Sequence, residues 1–113
     1  MSERYRTYEE FWPFYVSQHL NATCRGLHFV GTTLVFTAVA LALVRSPWWL
    51  LAAPLAGYGL AWVGHFFFEK NRPATFTYPL WSLGGDFRMY RLVLTGKMQP
   101  EIDRASAMFK AAA

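Results

Sequence analysis

The chain has 113 residues, of which 54% are apolar, and it includes ten Phe, six Tyr and five Trp. Its length fits one domain, and its apolar fraction exceeds the roughly 45–50% that is usual in globular proteins. The formal net charge is +4, but of the eleven Lys and Arg only Arg45 lies between two long apolar runs, so anionic lipid headgroups explain the basic character better than nucleic acid does. A single cysteine, Cys24, excludes an intramolecular disulfide and a cysteine-rich zinc module.

The first predicted element is an amphipathic helix over residues 8–20, which we expect Pro13 to break or kink. Its aromatic side chains suit a membrane interface. Residues 21–26 are expected to interrupt the helix before the first apolar run.

Two membrane spans are predicted, over residues 27–44 and 48–68. The runs from Gly26 to Val44 and from Ser46 to Phe68 contain no formally charged side chain, and each approaches the roughly 20 residues that cross a bilayer core. Residues 45–47 are expected to form a tight turn, so that the spans make an antiparallel hairpin. Because the other basic residues flank the hairpin, the positive-inside tendency predicts that both termini are cytoplasmic.

The segment 75–95 is apolar and aromatic, and Gly84-Gly85-Asp86 is expected to break it. Whether this segment is interfacial, re-entrant or an embedded helix stays open. Charged residues predict a solvated tail over 96–113. The expected fold is therefore a single all-α domain over residues 1–113, a small membrane-embedded helical bundle whose two-span hairpin is flanked by amphipathic or interfacial helices.

The chain contains three histidines, His19, His28 and His65. In the predicted hairpin His28 lies 17 positions before Arg45 and His65 lies 18 after Pro47, or roughly 25–27 Å of helix in both cases. Counting therefore predicts that both imidazoles lie at the same depth on the cytoplasmic side.

His19 approaches these two from the preceding helix. It lies nine residues before His28, which is roughly half a turn out of phase on an unbroken helix, so convergence requires a bend between Leu20 and Gly26. Three neutral imidazoles with open coordination positions suit one divalent transition metal such as iron(II).

The carboxylate of Glu69 lies one helical turn after His65 and is a candidate fourth ligand, or a group that orients a ligand imidazole. Cys24, four before His28, is a further candidate ligand, with packing as its alternative. The alternative for each histidine is a simple hydrogen bond to a backbone carbonyl near a helix end.

A second polar group contains Arg72 and Arg88. Arginine holds carboxylates with two parallel hydrogen bonds, so either residue is a candidate for the acid head of a lipid whose tail runs along Phe66 and Trp81. The alternative is that these side chains are interfacial anchors.

The block Val63–Ala74 (VGHFFFEKNRPA), together with His19, Asn21, Arg25 and His28-x-x-Gly31, resembles the family of the fungal 2-hydroxy-fatty-acid dioxygenase, a small endoplasmic-reticulum membrane protein of phytosphingosine degradation. The likeness spans most of the chain. It implies an iron(II) enzyme that uses O₂ to shorten a 2-hydroxy fatty acid by one carbon. The implied metal ligands are His19, His28 and His65, with Glu69 and Arg72 as catalytic residues.

Two departures from the fungal pattern accompany this likeness: Gln18 stands where the family has a second histidine, and the extra hydrophobic hairpin is missing. The compact core suggests a bacterial relative in an inner membrane. Its expected partners are a 2-hydroxy fatty acid, O₂ and the membrane, without nucleic acid and with a homo-oligomer as an open possibility. The rival hypotheses are a non-catalytic membrane protein that scaffolds partners or binds lipid, and a zinc-dependent lipid hydrolase with Glu69 as base.

Overall fold

The computed structural model describes residues 5–112, with side chains described for residues 5–109. Over this range the chain forms helices and turns and contains no strand, which confirms the predicted all-α class. In chain order the helices are α1 (Tyr8–Ser17), α2 (Ala22–Val44), α3 (Ala52–Val63), α4 (Pro79–Leu94) and α5 (Met98–Ala112), with 3-10 turns at Pro47–Leu51 and Ala74–Phe76 and a π-helical segment, Gly64–Glu69, that continues α3.

The described residues divide into two compact units. The first, here called the hairpin unit, comprises residues 21–73. The second, here called the aromatic unit, comprises residues 5–20 together with residues 74–112.

The start of the hairpin unit is set by Asn21. Its side-chain oxygen accepts hydrogen bonds from the backbone N–H groups of Thr23 at 2.9 Å and Cys24 at 3.1 Å. These bonds satisfy donors that have no partner inside the helix, so α2 begins at Ala22, earlier than the predicted start at residue 27.

Close helix approach in the hairpin depends on glycines. A Cβ atom at Gly31 would lie 3.3 Å from the carbonyl oxygen of Ala56, and one at Gly57 would lie 3.0 Å from a methyl group of Val35. Nearer the open end, a Cβ atom at Gly64 would lie 2.9 Å from the Sγ of Cys24. Small residues at these contacts are the usual means by which membrane helices pack without polar bonds.

We expect Gly64→Ala to lower the free energy of unfolding by about 1–3 kcal/mol, since the added methyl overpacks a buried contact. Gly59→Ala is the matched control, because a Cβ atom at Gly59 meets nothing within 4 Å. Thermal unfolding in detergent measures the difference. Equal midpoints for the two variants would contradict the tight contact, whereas adding Cys24→Ala to Gly64→Ala should recover part of the loss.

Two helical stretches, Ala22–Val44 and Pro47–Glu69, are long and apolar enough to cross a membrane. Only 22% of the apolar window of the first and 17% of that of the second is buried inside the structure. A core helix of a soluble protein would be mostly buried, so these outward-facing Leu, Val, Phe and Trp side chains favour lipid as their surroundings.

The aromatic unit has its own core, in which α1 contributes Phe11, Trp12 and Tyr15. The indole N–H of Trp12 donates to Glu101 of α5 at 2.7 Å. The hydroxyl of Tyr15 donates to a carboxylate oxygen of Asp86 on α4. These two bonds join α1 to both of the following helices of its unit.

One sequence expectation was wrong in this unit, the break at Gly84-Gly85-Asp86. Helix α1 continues through Pro13, with Thr7 capping its N-terminus and its buried aromatic side chains holding it in place. Helix α4 runs through Gly84-Gly85 without a break, because Gly85 serves packing: a Cβ atom there would lie 2.9 Å from the Tyr15 ring. Within the expected solvated tail over 96–113, Met98–Ala112 forms helix α5, which begins after Gly96 ends α4 with a φ of 74°.

Candidate metal centre

His28 lies on α2, and its ring is held by the preceding helical turn. Its Nδ1 lies 2.8 Å from the carbonyl oxygen of Cys24. A carbonyl oxygen only accepts hydrogen bonds, so Nδ1 carries the hydrogen and the lone pair is on Nε2. The Sγ of Cys24 lies 3.7 Å from the same Nδ1.

His65 lies in the π-helical segment, and its ring is held by a residue that follows the segment. Its Nδ1 lies 2.7 Å from the side-chain oxygen of Asn71. Lys70 adopts a left-handed conformation with a φ of 59°, and the Asn71 N–H donates to the His65 carbonyl at 2.9 Å. This turn brings the Asn71 side chain back to the imidazole and leaves the His65 lone pair on Nε2.

His28 and His65 face each other inside the hairpin unit. Their ring centroids are 4.9 Å apart and the ring planes are nearly perpendicular, at 89°. The two histidines that counting along the spans placed at the same level of the hairpin are therefore adjacent in the structure.

His19 lies just beyond the last residue of α1. Its Nδ1 lies 2.6 Å from the Tyr15 carbonyl oxygen, which again places the lone pair on Nε2. The Tyr15 ring stacks on the imidazole with centroids 4.1 Å apart. Helix α1 ends at Ser17 and α2 begins at Ala22, so the helix is interrupted between His19 and His28 as the sequence analysis required.

One ring nitrogen from each of His19, His28 and His65 lies within 4.8 Å of the other two. All three side chains are buried, with exposed fractions of 1%, 5% and 2%. Each Nδ1–H donates a hydrogen bond to an oxygen acceptor. Imidazole ligands of metal ions are usually oriented by a hydrogen bond of this kind from the nitrogen that does not bind the ion. Three neutral nitrogen donors in this arrangement fit a divalent transition metal such as iron(II).

Glu69 ends the π-helical segment, and its carboxylate accepts the backbone N–H of Asn21. The carboxylate thus lies at the positive end of the α2 dipole, where a negative charge is favourable. Among the described residues, the ligand atoms close enough to share an ion belong to the three histidines. The roles of Glu69 and of Cys24 as ligands remain predictions. The Sγ of Cys24 packs against Gly64 and lies 3.7 Å from the Nδ1 of His28.

The remaining predicted site residues have different surroundings. Arg72 is exposed, directly after the turn at Lys70 and Asn71. The guanidinium of Arg88 lies 4.1 Å above the Trp12 ring, a cation–π contact within the aromatic unit. Phe66 is 49% exposed, whereas Trp81 is partly buried and stacks on Tyr78 with centroids 5.7 Å apart.

Two residues that support the histidines, Asn71 and Tyr15, were not predicted from the sequence to do so. Asn71 lies six positions after His65, a spacing that a regular α-helix would not bring together. Tyr15 lies four positions before His19, a spacing that would have signalled a contact. Its aromatic character was instead attributed to the membrane interface.

A family model described as 2-hydroxy-palmitic acid dioxygenase Mpo1-like matches residues 5–98. No curated protein and no solved structure matches the chain. The matched range includes all three histidines, the turn at Lys70 and Asn71, and the Tyr15–Asp86 pair. Since the match covers most of the sequence, the chain belongs to the Mpo1-like family.

Proposed function

We propose that the protein is an iron(II)-dependent dioxygenase that performs α-oxidation, converting a 2-hydroxy fatty acid to the acid one carbon shorter. The observation that carries the proposal is the set of three buried imidazoles, each with its Nδ1 bonded to an oxygen acceptor, which places its lone pair on Nε2. The family description supports the substrate class.

The reaction balances without another reductant. One 2-hydroxy acid and one O₂ give the shortened acid, CO₂ and H₂O, and the substrate supplies all four electrons. A bound iron(II) would supply open positions for the hydroxyl and carboxylate of the substrate and for O₂. A reaction of this kind needs no nucleotide cosubstrate, and the sequence contains no Gly-rich nucleotide-binding loop.

In this proposal His19, His28 and His65 hold the ion, and their burial keeps bulk water from it. Asn71 fixes the rotation of His65 through the bond to Nδ1. Glu69 is half-buried at the start of α2, where we assign it to orienting the ligand set or accepting a proton from the substrate.

Substrate binding in this proposal relies on Arg72 and on apolar side chains. We assign Arg72, which is exposed, to the acid head of the lipid, and the guanidinium of Arg88 lies over the Trp12 ring. Phe66 and Trp81 are assigned to the acyl tail.

The two outward-facing apolar helical stretches support a membrane setting. We propose an integral membrane protein with both termini cytoplasmic, on the basis of the basic residues that flank the hairpin. A bacterial inner membrane is the proposed location.

The direct test of activity is incubation of purified protein with iron(II), O₂ and a long-chain 2-hydroxy acid, followed by mass analysis. We expect the acid one carbon shorter and CO₂, in equal amounts with the O₂ consumed. The same chain length without the 2-hydroxyl is the control and should not react. Iron-loaded protein that yields no shortened acid across a range of chain lengths would reject the dioxygenase and leave a lipid-binding or scaffolding protein.

A further inference from the structure

Tyr15 contacts the His19 imidazole in two ways. Its carbonyl oxygen lies 2.6 Å from Nδ1, and its own ring stacks on the imidazole at 4.1 Å with an interplanar angle of 25°. The carbonyl fixes which nitrogen carries the hydrogen, and the stacked ring restricts rotation of the imidazole. The placement of His19 therefore depends on the placement of Tyr15.

The Tyr15 ring is in turn fixed by two consecutive residues of α4. Its hydroxyl donates to Asp86, and its ring edge packs on Gly85, where a Cβ atom would approach to 2.9 Å. Tyr15 has no exposed surface. Both the polar end and the edge of this ring are thus held by one turn of helix.

A buried carboxylate is unfavourable unless its hydrogen bonds compensate for lost solvation. Burial raises the pKa of Asp86 to about 7, and the hydrogen bond from Tyr15 opposes that rise. If packing alone mattered, an apolar side chain at position 86 would stabilise the contact between α1 and α4 at least as well. The carboxyl oxygen instead gives the Tyr15 hydroxyl a directional acceptor.

We propose that Tyr15 and Asp86 are positioning residues of the metal site, which hold His19 in the orientation that an ion requires. This inference rests on the proposed function only in taking His19 as a metal ligand. Neither residue touches the ion or the substrate. Their effect is on the affinity of the site and on the geometry of the bound metal.

The alternative explanation is that the Tyr15–Asp86 bond only stabilises the packing of α1 on α4. The aromatic unit offers a matched control in the Trp12–Glu101 bond, which also joins α1 to a later helix through a buried aromatic donor at 2.7 Å. Trp12 stacks on Tyr15 and on no histidine among the described contacts. Disrupting this second bond weakens the same unit without releasing His19.

The test is anaerobic titration of the full-length protein with iron(II), with the ligand-field absorption of cobalt(II)-loaded protein as the measure of geometry. We expect Tyr15→Phe and Asp86→Leu to weaken iron(II) binding by about 10–100-fold and to shift the cobalt(II) bands. Asp86→Asn retains a side-chain oxygen acceptor and should bind iron(II) within about threefold of the parent protein, a smaller change than the weakening expected of the disruptive variants.

The control Glu101→Leu should lower the unfolding temperature while leaving iron(II) affinity and the cobalt(II) bands unchanged. Unaltered binding in Tyr15→Phe and Asp86→Leu, or equal weakening in Glu101→Leu, would overturn the inference. Metal binding is measured here without catalytic turnover, so the two proposals can fail separately. If the variants bind iron in this pattern but the parent protein does not shorten 2-hydroxy acids, the proposed activity is rejected and the positioning role is kept.

Discussion

Replacing His65 by alanine is expected to abolish stoichiometric iron binding and to reduce α-oxidation by more than about 100-fold, beyond the range typical of an outer hydrogen-bonding partner. His65 is buried, faces the His28 ring and directs its lone pair away from Asn71. Its loss leaves two imidazoles, too few to hold iron(II) firmly with open positions for substrate. Metal analysis of protein loaded anaerobically, followed by product assay, measures both effects.

Phe68→Ala is the matched control for His65→Ala. Phe68 belongs to the same π-helical segment and is 45% exposed, so truncating it alters the local apolar surface and not the ligand set. Its iron content should equal that of the parent protein. A His65→Ala variant that retains one iron per chain would exclude His65 as a ligand.

Replacing Asn71 by leucine is expected to weaken iron(II) affinity by about 10–100-fold, since it removes the acceptor that orients a ligand imidazole. Asn71→Asp restores an oxygen at the same place and should recover most of the affinity. Anaerobic titration gives the dissociation constants.

Lys70→Gly tests whether the turn itself matters. Lys70 has a φ of 59°, a conformation that glycine adopts without strain, so this variant should keep the turn and bind iron as the parent protein does. If Asn71→Leu binds iron as tightly as Lys70→Gly, the bond from His65 to Asn71 has no role in metal binding.

The helical class and the meeting of His28 with His65 were predictable from the sequence. Two uncharged runs joined at Arg45 allow one simple arrangement, an antiparallel hairpin, and residue counting then fixes the depth of each side chain. The need for an interruption between His19 and His28 followed from helical phase in the same way.

The surroundings of the histidines were not predictable by these means. The residues of Gly64–Glu69 do not indicate that hydrogen bonding shifts there to the π-helical pattern. The segment begins at the contact of Gly64 with Cys24 and is followed by the left-handed Lys70, and neither feature is visible in the sequence. The role of Asn71 depends on this local geometry. Hydrophobic periodicity indicates which face of a helix is apolar. It does not indicate where the backbone departs from the α-helical repeat.

The role of Gly85 was misjudged for a related reason. A glycine pair inside a polar and aromatic stretch predicts a break when only local preference is considered. In the structure Tyr15, a residue distant in sequence, occupies the space that a side chain at Gly85 would need. Close tertiary contacts of this kind override local preference.

The central claim is that three imidazoles bind one iron ion, and X-ray absorption at the iron edge of anaerobically loaded protein tests it most directly. We expect one iron per chain, nitrogen and oxygen ligand atoms at about 2.0–2.2 Å, the range of such bonds at imidazole and carboxylate metal sites, and more distant scattering from three imidazoles. A shell without imidazole scattering, or one dominated by sulfur from Cys24, would contradict it.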